Sequence, residues 1–187
     1  MITKEILQQF CATDPSRAYL YKPFTIGDYS FAGDGRILVR VPKMDFPPLV
    51  ETDQTKLAVE RITYYFAHDM SDGNYKPMPV EDEKGWGDEC GDCEGKKRIT
   101  HLTCDTCGST TDLKCEIACP ACDGVGKILW QFEVIFNGQR LNAYYLRKLH
   151  SLPNVTIANS LDEMGHLSFK FDGGDGRLMP MRAKTTT

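Results

Sequence analysis

Seven of the eight cysteines in this chain lie between Cys90 and Cys122, and this cluster constrains the fold more than any other feature of the sequence. Three pairs have the spacing Cys-x-x-Cys, namely Cys90 and Cys93, Cys104 and Cys107, and Cys119 and Cys122, with Cys115 between the last two pairs. Two thiolates at this spacing can bind one Zn²⁺ at about 2.3 Å each, and a second pair completes a tetrahedral site. The spacing therefore predicts a small module organised by one or two Zn²⁺ ions.

A framework of disulfide bonds is the alternative interpretation of such a segment. The Cys-x-x-Cys spacing is unusual for structural bridges. The first residues, Met1 to Glu5, carry charges of both signs and lack the apolar stretch of an export signal. No run of the sequence approaches the roughly 18 apolar residues that a membrane span needs. We therefore expect reduced thiols, a cytoplasmic location and no contact with membranes.

The motif Cys-x-x-Cys-x-Gly-x-Gly is complete from Cys119 to Gly126 and half present from Cys90 to Gly95. In this motif the segment resembles the cysteine-rich zinc domain of DnaJ-type co-chaperones, where the first repeat shares a zinc with the last and the middle repeats share another. The resemblance implies a first site of Cys90, Cys93, Cys119 and Cys122. It implies an inner site that contains Cys104, Cys107 and Cys115.

The inner site lacks a fourth cysteine. His101, three residues before Cys104, is the candidate for the fourth ligand. A histidine beside a zinc loop can equally be a surface residue or donate a hydrogen bond to a ligand. A module with a single zinc and free remaining thiols is the other possibility.

The charge of the chain is unevenly distributed. The formal net charge is −4, and residues 128–187 are the part with a basic excess, with seven basic and five acidic side chains. We expect weak binding to duplex DNA through Arg140, Arg147 and Lys148, because contacts to phosphates come from such side chains. The basic triplet from Lys96 to Arg98 is expected to be a solvated loop tip.

Apolar periodicity on both sides of the cysteines predicts an α+β domain with the zinc module inserted. The predicted bounds are 1–83 for the N-terminal half, 84–127 for the insertion and 128–187 for the C-terminal half. Helices are predicted over 2–12, from Asp53 onward and over 141–152. Strands are predicted over 18–21, 28–31, 36–41, 128–136, 155–158, 167–171 and 177–182.

The two ends of the chain share a short pattern. Gly33-Asp34-Gly35-Arg36 aligns with Gly174-Asp175-Gly176-Arg177, and each Gly-Asp-Gly is expected to be a hairpin turn before a strand. A similar order of helix and strands surrounds both. This predicts a duplicated domain in which each half places a helix on an antiparallel sheet.

The last fifty or so residues resemble the final subdomain of bacterial DNA polymerase sliding clamps. The similarity lies in Phe136-Asn137 before a leucine-rich helix and in the closing Met179-Pro180-Met181-Arg182. The resemblance implies a clamp-like fold and a peptide-docking edge made by Met179, Pro180, Met181 and Arg182. Alternatively, Met179 and Met181 are core residues of the last strand. A clamp ring contains several such domains and no zinc module, so the oligomeric state stays open.

We find no convincing catalytic set, because the histidines are scattered and closed cysteine sites leave no coordination position for water. Cys11 is expected to be a small buried hydrophobe rather than a nucleophile. The sequence favours a non-catalytic, zinc-stabilised binding protein of DNA metabolism, of the kind that phages or mobile elements carry, with a protein as its main partner. The alternative is a chaperone-like module whose DnaJ-type arm holds polypeptide.

Overall fold

A computed structural model of the chain describes residues 2–50, 52–67, 73–80, 86–103, 110–122, 124–129 and 132–182. The chain divides into two compact units. The first unit comprises Met1–Pro79, Ile135–Leu141 and Tyr145–Thr187, and the second comprises Val80–Val134 and Asn142–Tyr144. The fold is α+β with mostly antiparallel strands and few helices, as the sequence predicted for the class. The predicted insertion, 84–127, falls inside the second unit.

Side chains cap the N-terminal ends of the helices. They are α1 (Lys4–Gln8), a 3₁₀ helix (Pro15–Leu20), α2 (Asp53–Ala67) and α3 (Ala143–Leu149). Thr52 caps α2, because Thr52 and Thr55 each accept the other's backbone N–H on a side-chain oxygen. None of the helices in the described part of the chain is long and apolar enough to cross a membrane.

The strands in chain order are β1 (Phe24–Ile26), β2 (Tyr29–Gly33), β3 (Ile37–Pro42), β4 (Tyr75–Pro77), β5 (Asp88–Glu89), β6 (Arg98–Thr103), β7 (Thr110–Ala118), β8 (Lys127–Ile128), β9 (Glu133–Phe136), β10 (Gln139–Asn142), β11 (Thr156–Leu161), β12 (Leu167–Phe171) and β13 (Gly174–Leu178). Seven of them form one sheet in the order β1-β2-β3-β13-β12-β11-β4. Every neighbouring pair in this sheet is antiparallel. The sheet thus combines strands from both ends of the sequence.

The middle of this sheet is the pairing of β3 with β13. Arg40 on β3 lies opposite Asp175 on β13, and its guanidinium donates two hydrogen bonds of 2.8 and 2.7 Å to that carboxylate. The same guanidinium lies 4.7 Å from the centroid of the Tyr29 ring and 4.2 Å from that of Phe66. The N-terminal and C-terminal hairpins are therefore joined by a charge pair between aromatic rings.

The two aligned Gly-Asp-Gly triplets occupy different places in the fold. Gly33-Asp34-Gly35 ends β2 and leads into the turn before β3. The expectation of a turn at Gly174-Asp175-Gly176 is wrong, because these residues lie within β13. Glycine is needed there for close approach, since a Cβ on Gly176 would lie 2.1 Å from the Phe169 ring. The duplication of the domain stays a prediction.

Side chains on β3 alternate between the two faces of the sheet, as expected for a strand. Ile37, Val39 and Val41 are buried, whereas Leu38 and Arg40 are half-buried. Helix α2 packs on the face of the sheet that carries Leu38. There, Ile62 and Phe66 of α2 join a cluster with Phe24, Phe31, Leu20 and Leu38.

Three strand predictions were wrong in detail, and one of them is the strand at 177–182, since β13 ends at Leu178. Residues 18–21 were expected to be a strand, but 15–20 form a 3₁₀ helix, because Pro15 suits a first helical turn and the Asp14 carboxylate accepts the Ser16 N–H. The predicted buried strand at 128–136 includes residues 130 and 131, which lie outside the described residues. Its last part is β9, which pairs with β10 in a two-stranded sheet and leaves Ile135 65% exposed.

Candidate metal centre and docking cavity

Four cysteines of the second unit come together. The Sγ atoms of Cys90, Cys93, Cys119 and Cys122 all lie within 4.8 Å of one another. The Sγ atoms of Cys90 and Cys119 are 3.9 Å apart, and those of Cys93 and Cys122 are 3.8 Å apart. A tetrahedral Zn²⁺ with bonds of about 2.3 Å requires sulfur atoms about 3.8 Å apart. The cluster therefore fits a metal site, and its members are those that the DnaJ resemblance implied.

The cluster is closed to solvent. The four residues are between 0% and 7% exposed. Ile99 is buried against them, and Leu113, Ile117 and Ile128 pack around the outside. Four sulfur ligands in such a place leave no position for water or substrate, so a metal held here would be structural rather than catalytic.

The two Cys-x-x-Cys segments exchange backbone hydrogen bonds. The N–H of Cys90 donates to the carbonyl of Gly126 at 3.0 Å, and the N–H of Cys119 donates to the carbonyl of Lys97 at 3.0 Å. Each acceptor is four residues after the second cysteine of its own pair. The two Cys-x-x-Cys segments therefore support each other in the same way.

Within each segment the same turns repeat. Gly95 donates its N–H to the carbonyl of Cys90, and Gly124 donates to that of Cys119, at 3.3 and 3.0 Å. Both glycines have positive φ, 73° and 72°, which glycine adopts without steric cost. The first glycine of the motif is thus explained by the turn that directs the chain around the cysteines.

The environment of the thiols differs within the cluster. Burial raises the pKa of Cys119 to about 12 and also raises the pKa of Cys93. Burial acts in the same direction on Cys122, but the N–H of Gly126, which donates to its Sγ at 3.2 Å, and the neighbouring thiols outweigh it and lower its pKa. A metal ion must therefore displace protons, above all from Cys119.

The predicted inner site falls largely where the structure is not described. Cys104 and Cys107 lie outside the described residues. Cys115 lies on β7, but its side chain is outside the described part. His101 is exposed on β6, opposite Asp112 of β7. A second metal ion, with His101 as a ligand, stays a prediction.

Cys11 is separate from the cluster and lies in the first unit. It is 5% exposed, and its Sγ is 3.9 Å from the carbonyl oxygen of Leu7. Burial raises the pKa of this thiol to about 11. The thiolate that a nucleophile requires is therefore disfavoured at neutral pH.

The first unit contains a cavity of about 350 Å³ between the 3₁₀ helix, the turn from β2 to β3, helix α2 and the end of β13. Its apolar lining includes Leu20, Ile37, Leu38, Ile62, Tyr65 and Met179. Four arginines also line it, namely Arg17, Arg36, Arg61 and Arg177. Sequence reasoning missed these arginines, because they lie on separate elements. The one signal for two of them was the aligned Gly-Arg at Gly35-Arg36 and Gly176-Arg177.

Met179 is the predicted docking residue that lines this cavity, and it is 45% exposed. Residues 179–182 follow the end of β13, and the N–H of Met179 donates to the carbonyl of Arg36 at 2.8 Å. Pro180 and Met181 are half-buried and Arg182 is exposed. The N–H of Met181 donates to the carbonyl of Arg140 at 2.7 Å.

The three residues predicted to contact DNA are not equivalent. Arg140 lies on β10, and its guanidinium donates to the carbonyl of Arg182 at 2.9 Å. Arg147 and Lys148 are half-buried on the last turn of α3, where the Lys148 Nζ lies 5.9 Å from the centroid of the Tyr145 ring. The structure thus links Arg140 to the predicted docking segment.

Comparisons of the chain with models of protein families, with curated proteins and with solved structures found no match.

Proposed function

We propose that this protein is a non-catalytic binding protein of DNA metabolism that docks short peptide segments of a partner protein at the cavity beside Met179. The observation that carries the proposal is the position of Met179, a long apolar side chain that is 45% exposed at a cavity with an apolar floor. The sliding-clamp resemblance assigns the same residue to a docking edge.

The composition of the cavity supports a binding role. A volume of about 350 Å³ lies at the lower end of the range typical of ligand pockets. Methionine suits a surface that adapts to varied partners, because its thioether is flexible and polarizable. Because Met179 is almost half exposed, it buries less apolar surface and contributes less to the stability of the fold than a fully buried methionine would.

We further propose that the four-cysteine cluster holds one structural Zn²⁺. The sulfur separations of 3.8 and 3.9 Å and the absence of a water-accessible ligand position support this role. The metal would contribute free energy of folding to the second unit, whose core consists largely of the cysteines themselves.

Selection from a displayed library of random short peptides tests the docking function directly. The purified full-length chain serves as bait, and binding of the recovered peptides is then measured to Met179→Ala and to Met164→Ala. Met164 is the matched control, because it is a similarly exposed methionine, 52% exposed, that does not line the cavity. We expect Met179→Ala to weaken binding about tenfold or more, as for a contact at the centre of an interface, and Met164→Ala to leave it unchanged.

The melting temperature of each variant separates lost binding from lost folding. Because Met179 is partly exposed, its truncation should lower the melting temperature only slightly. Equal binding by both variants, or failure to recover any peptide, would exclude docking at this cavity.

A further inference from the structure

The cavity beside Met179 is unusually cationic for an acidic chain. The formal net charge of the protein is −4, yet Arg17, Arg36, Arg61 and Arg177 line this one cavity. None of the described residues that line it carries a carboxylate. A cavity whose walls are of one charge sign favours ligands of the opposite sign.

One of the four arginines, Arg177, is buried, and a carboxylate of the fold balances its charge. The buried Arg177 has its Nε 3.8 Å from a carboxylate oxygen of Asp162, and the buried His166 has its Nδ1 3.6 Å from the same oxygen. Arg177 also donates to the carbonyl of Tyr65 at 2.9 Å, which fixes its guanidinium below α2. The charge of Arg177 is therefore compensated within the fold.

The other three arginines that line the cavity have no such carboxylate partner among the described residues. Arg17 donates to the backbone carbonyl of Asp34, a neutral acceptor. Arg36 and Arg61 are exposed. Within the described ranges no carboxylate lies within ion-pair distance of the guanidinium groups of Arg17, Arg36 or Arg61. Among the described residues, Arg17, Arg36 and Arg61 therefore lack an ion-pair partner, and they surround an apolar floor.

We propose that the occupant of the cavity is an acidic peptide segment, in which a side-chain carboxylate binds between Arg36 and Arg61 while a neighbouring apolar side chain enters the floor beside Met179. The inference rests on the proposed docking function and adds the chemistry of the partner. Guanidinium groups bind carboxylates by two parallel hydrogen bonds, which position the peptide as well as attract it. The apolar floor requires a side chain with no charge, so the motif combines both kinds of residue.

The test uses matched pairs of the peptides recovered from the displayed library. In each pair, Asp or Glu is replaced by Asn or Gln, which keeps the shape and removes the charge. Each peptide is titrated against the wild type, against the double variant Arg36→Gln with Arg61→Gln, and against the control Lys43→Gln with Lys56→Gln. The control removes the same charge from exposed positions that do not line the cavity, one of them on α2.

We expect the acidic peptides to bind the wild type about tenfold more tightly than their amides. This preference should disappear in the Arg36 and Arg61 double variant and persist in the lysine control. Inorganic phosphate and a nucleoside monophosphate, titrated alone, should neither bind tightly nor displace the peptide.

The outcomes distinguish the two proposals. If acidic and amide peptides bind equally but Met179→Ala still abolishes binding, the docking function stands and the acidic specificity is excluded. If the nucleoside monophosphate binds tightly and displaces the peptide, the cavity is a phosphate site and the peptide inference is overturned. If no peptide binds, both proposals are excluded.

Discussion

Lys97 has the same position in the first Cys-x-x-Cys segment that Gly126 has in the second, four residues after the second cysteine, and both have positive φ, 71° and 85°. Their carbonyls accept the equivalent N–H groups of Cys119 and Cys90. A side chain makes this conformation costly, by about 1–2 kcal/mol for an ordinary residue. The first segment therefore contains a strained residue where the complete motif has its second glycine.

We expect Lys97→Gly to stabilise the second unit. The relief of strain, about 1–2 kcal/mol, exceeds the extra entropy of an unfolded chain with glycine, about 0.4–1 kcal/mol, so the net gain is about 0.5–1 kcal/mol. A guanidinium chloride titration in which a chelating dye reports zinc release measures the change. Lys96→Gly is the control, because Lys96 is not among the residues with positive φ, and it should shift the midpoint in the opposite direction. Equal shifts for both variants would contradict the strain.

Gly126→Ala should have the reverse effect of Lys97→Gly. An added Cβ would lie 2.6 Å from the carbonyl oxygen of Gly95. The φ of 85° at this position is also costly for a residue with a side chain. We expect zinc to be released at a lower concentration of guanidinium chloride. The substitution Gly91→Ala is the control, since a Cβ there would meet nothing within 4 Å.

Removal of the metal is expected to loosen the second unit and spare the first. Cys119→Ser leaves the ion with three thiolates, and structural zinc contributes folding energy directly to the segment that binds it. Hydrogen exchange should become faster for residues 90–122 and stay slow for Leu146 and Leu149 of α3, which are fully buried. Elemental analysis should find at least one equivalent of zinc in the wild type and in Cys11→Ala. Loss of protection in both units together would show that they do not fold independently.

Cys11 gives a pH dependence of stability in the first unit. Burial raises the pKa of its thiol from 9.0 to about 11. In the unfolded chain the thiol ionises first, so the contribution of this group is present below pH 9.0 and is lost as the pH rises toward about 11. We expect the difference in urea midpoint between the wild type and Cys11→Ala to shrink over this range. A difference that stays constant with pH would mean that the thiol is not protected from ionisation.

Features that depend on neighbouring residues in the sequence could be predicted, whereas features that depend on tertiary contacts could not. The α+β class and strand β12 could be predicted, because periodicity is a local property of the chain. The grouping of Cys90 and Cys93 with Cys119 and Cys122 was implied by the resemblance to the zinc domain of DnaJ-type co-chaperones, and these four residues do lie together. Gly176 was wrongly expected in a turn, because the requirement for glycine there comes from the Phe169 ring of a neighbouring strand. The arginine cavity was missed because Arg17 and Arg61 are brought together only by the tertiary fold.

Weak binding to duplex DNA remains a prediction for the basic residues of α3. Each phosphate contact releases counterions, so the logarithm of the binding constant falls with the logarithm of salt concentration by about 0.9 per contact. The double variant Arg147→Ala with Lys148→Ala should weaken binding and reduce this slope by about 2. Lys96→Ala with Lys97→Ala, in the triplet expected to be solvated, removes the same charge and should have no effect. Binding that does not depend on salt would exclude this contact.

The pairing of Arg40 with Asp175 makes a last prediction about the sheet. Both side chains are largely buried, 21% and 22% exposed, and the hydrogen bonds are bidentate. A double-mutant cycle with Arg40→Ala and Asp175→Ala should give a coupling energy of about 1.5–3 kcal/mol, as for hydrogen bonds between charged groups away from bulk solvent. The exposed pair of Lys4 and Asp45, at 3.2 Å, is the control and should couple by less than about 1 kcal/mol.

The single variants of this cycle should also differ from each other. Arg40→Ala removes both the charge pair and the contacts with the rings of Tyr29 and Phe66, whereas Asp175→Ala leaves the guanidinium between the rings. Contacts of this kind contribute about 0.5–2 kcal/mol, so Arg40→Ala should lower the free energy of unfolding more than Asp175→Ala does. Arg40→Lys should fall between wild type and Arg40→Ala, because an ammonium keeps the charge but cannot donate the parallel hydrogen bonds. Equal losses for Arg40→Ala and Asp175→Ala, measured by urea unfolding, would mean that the rings contribute nothing and that the carboxylate alone positions Arg40.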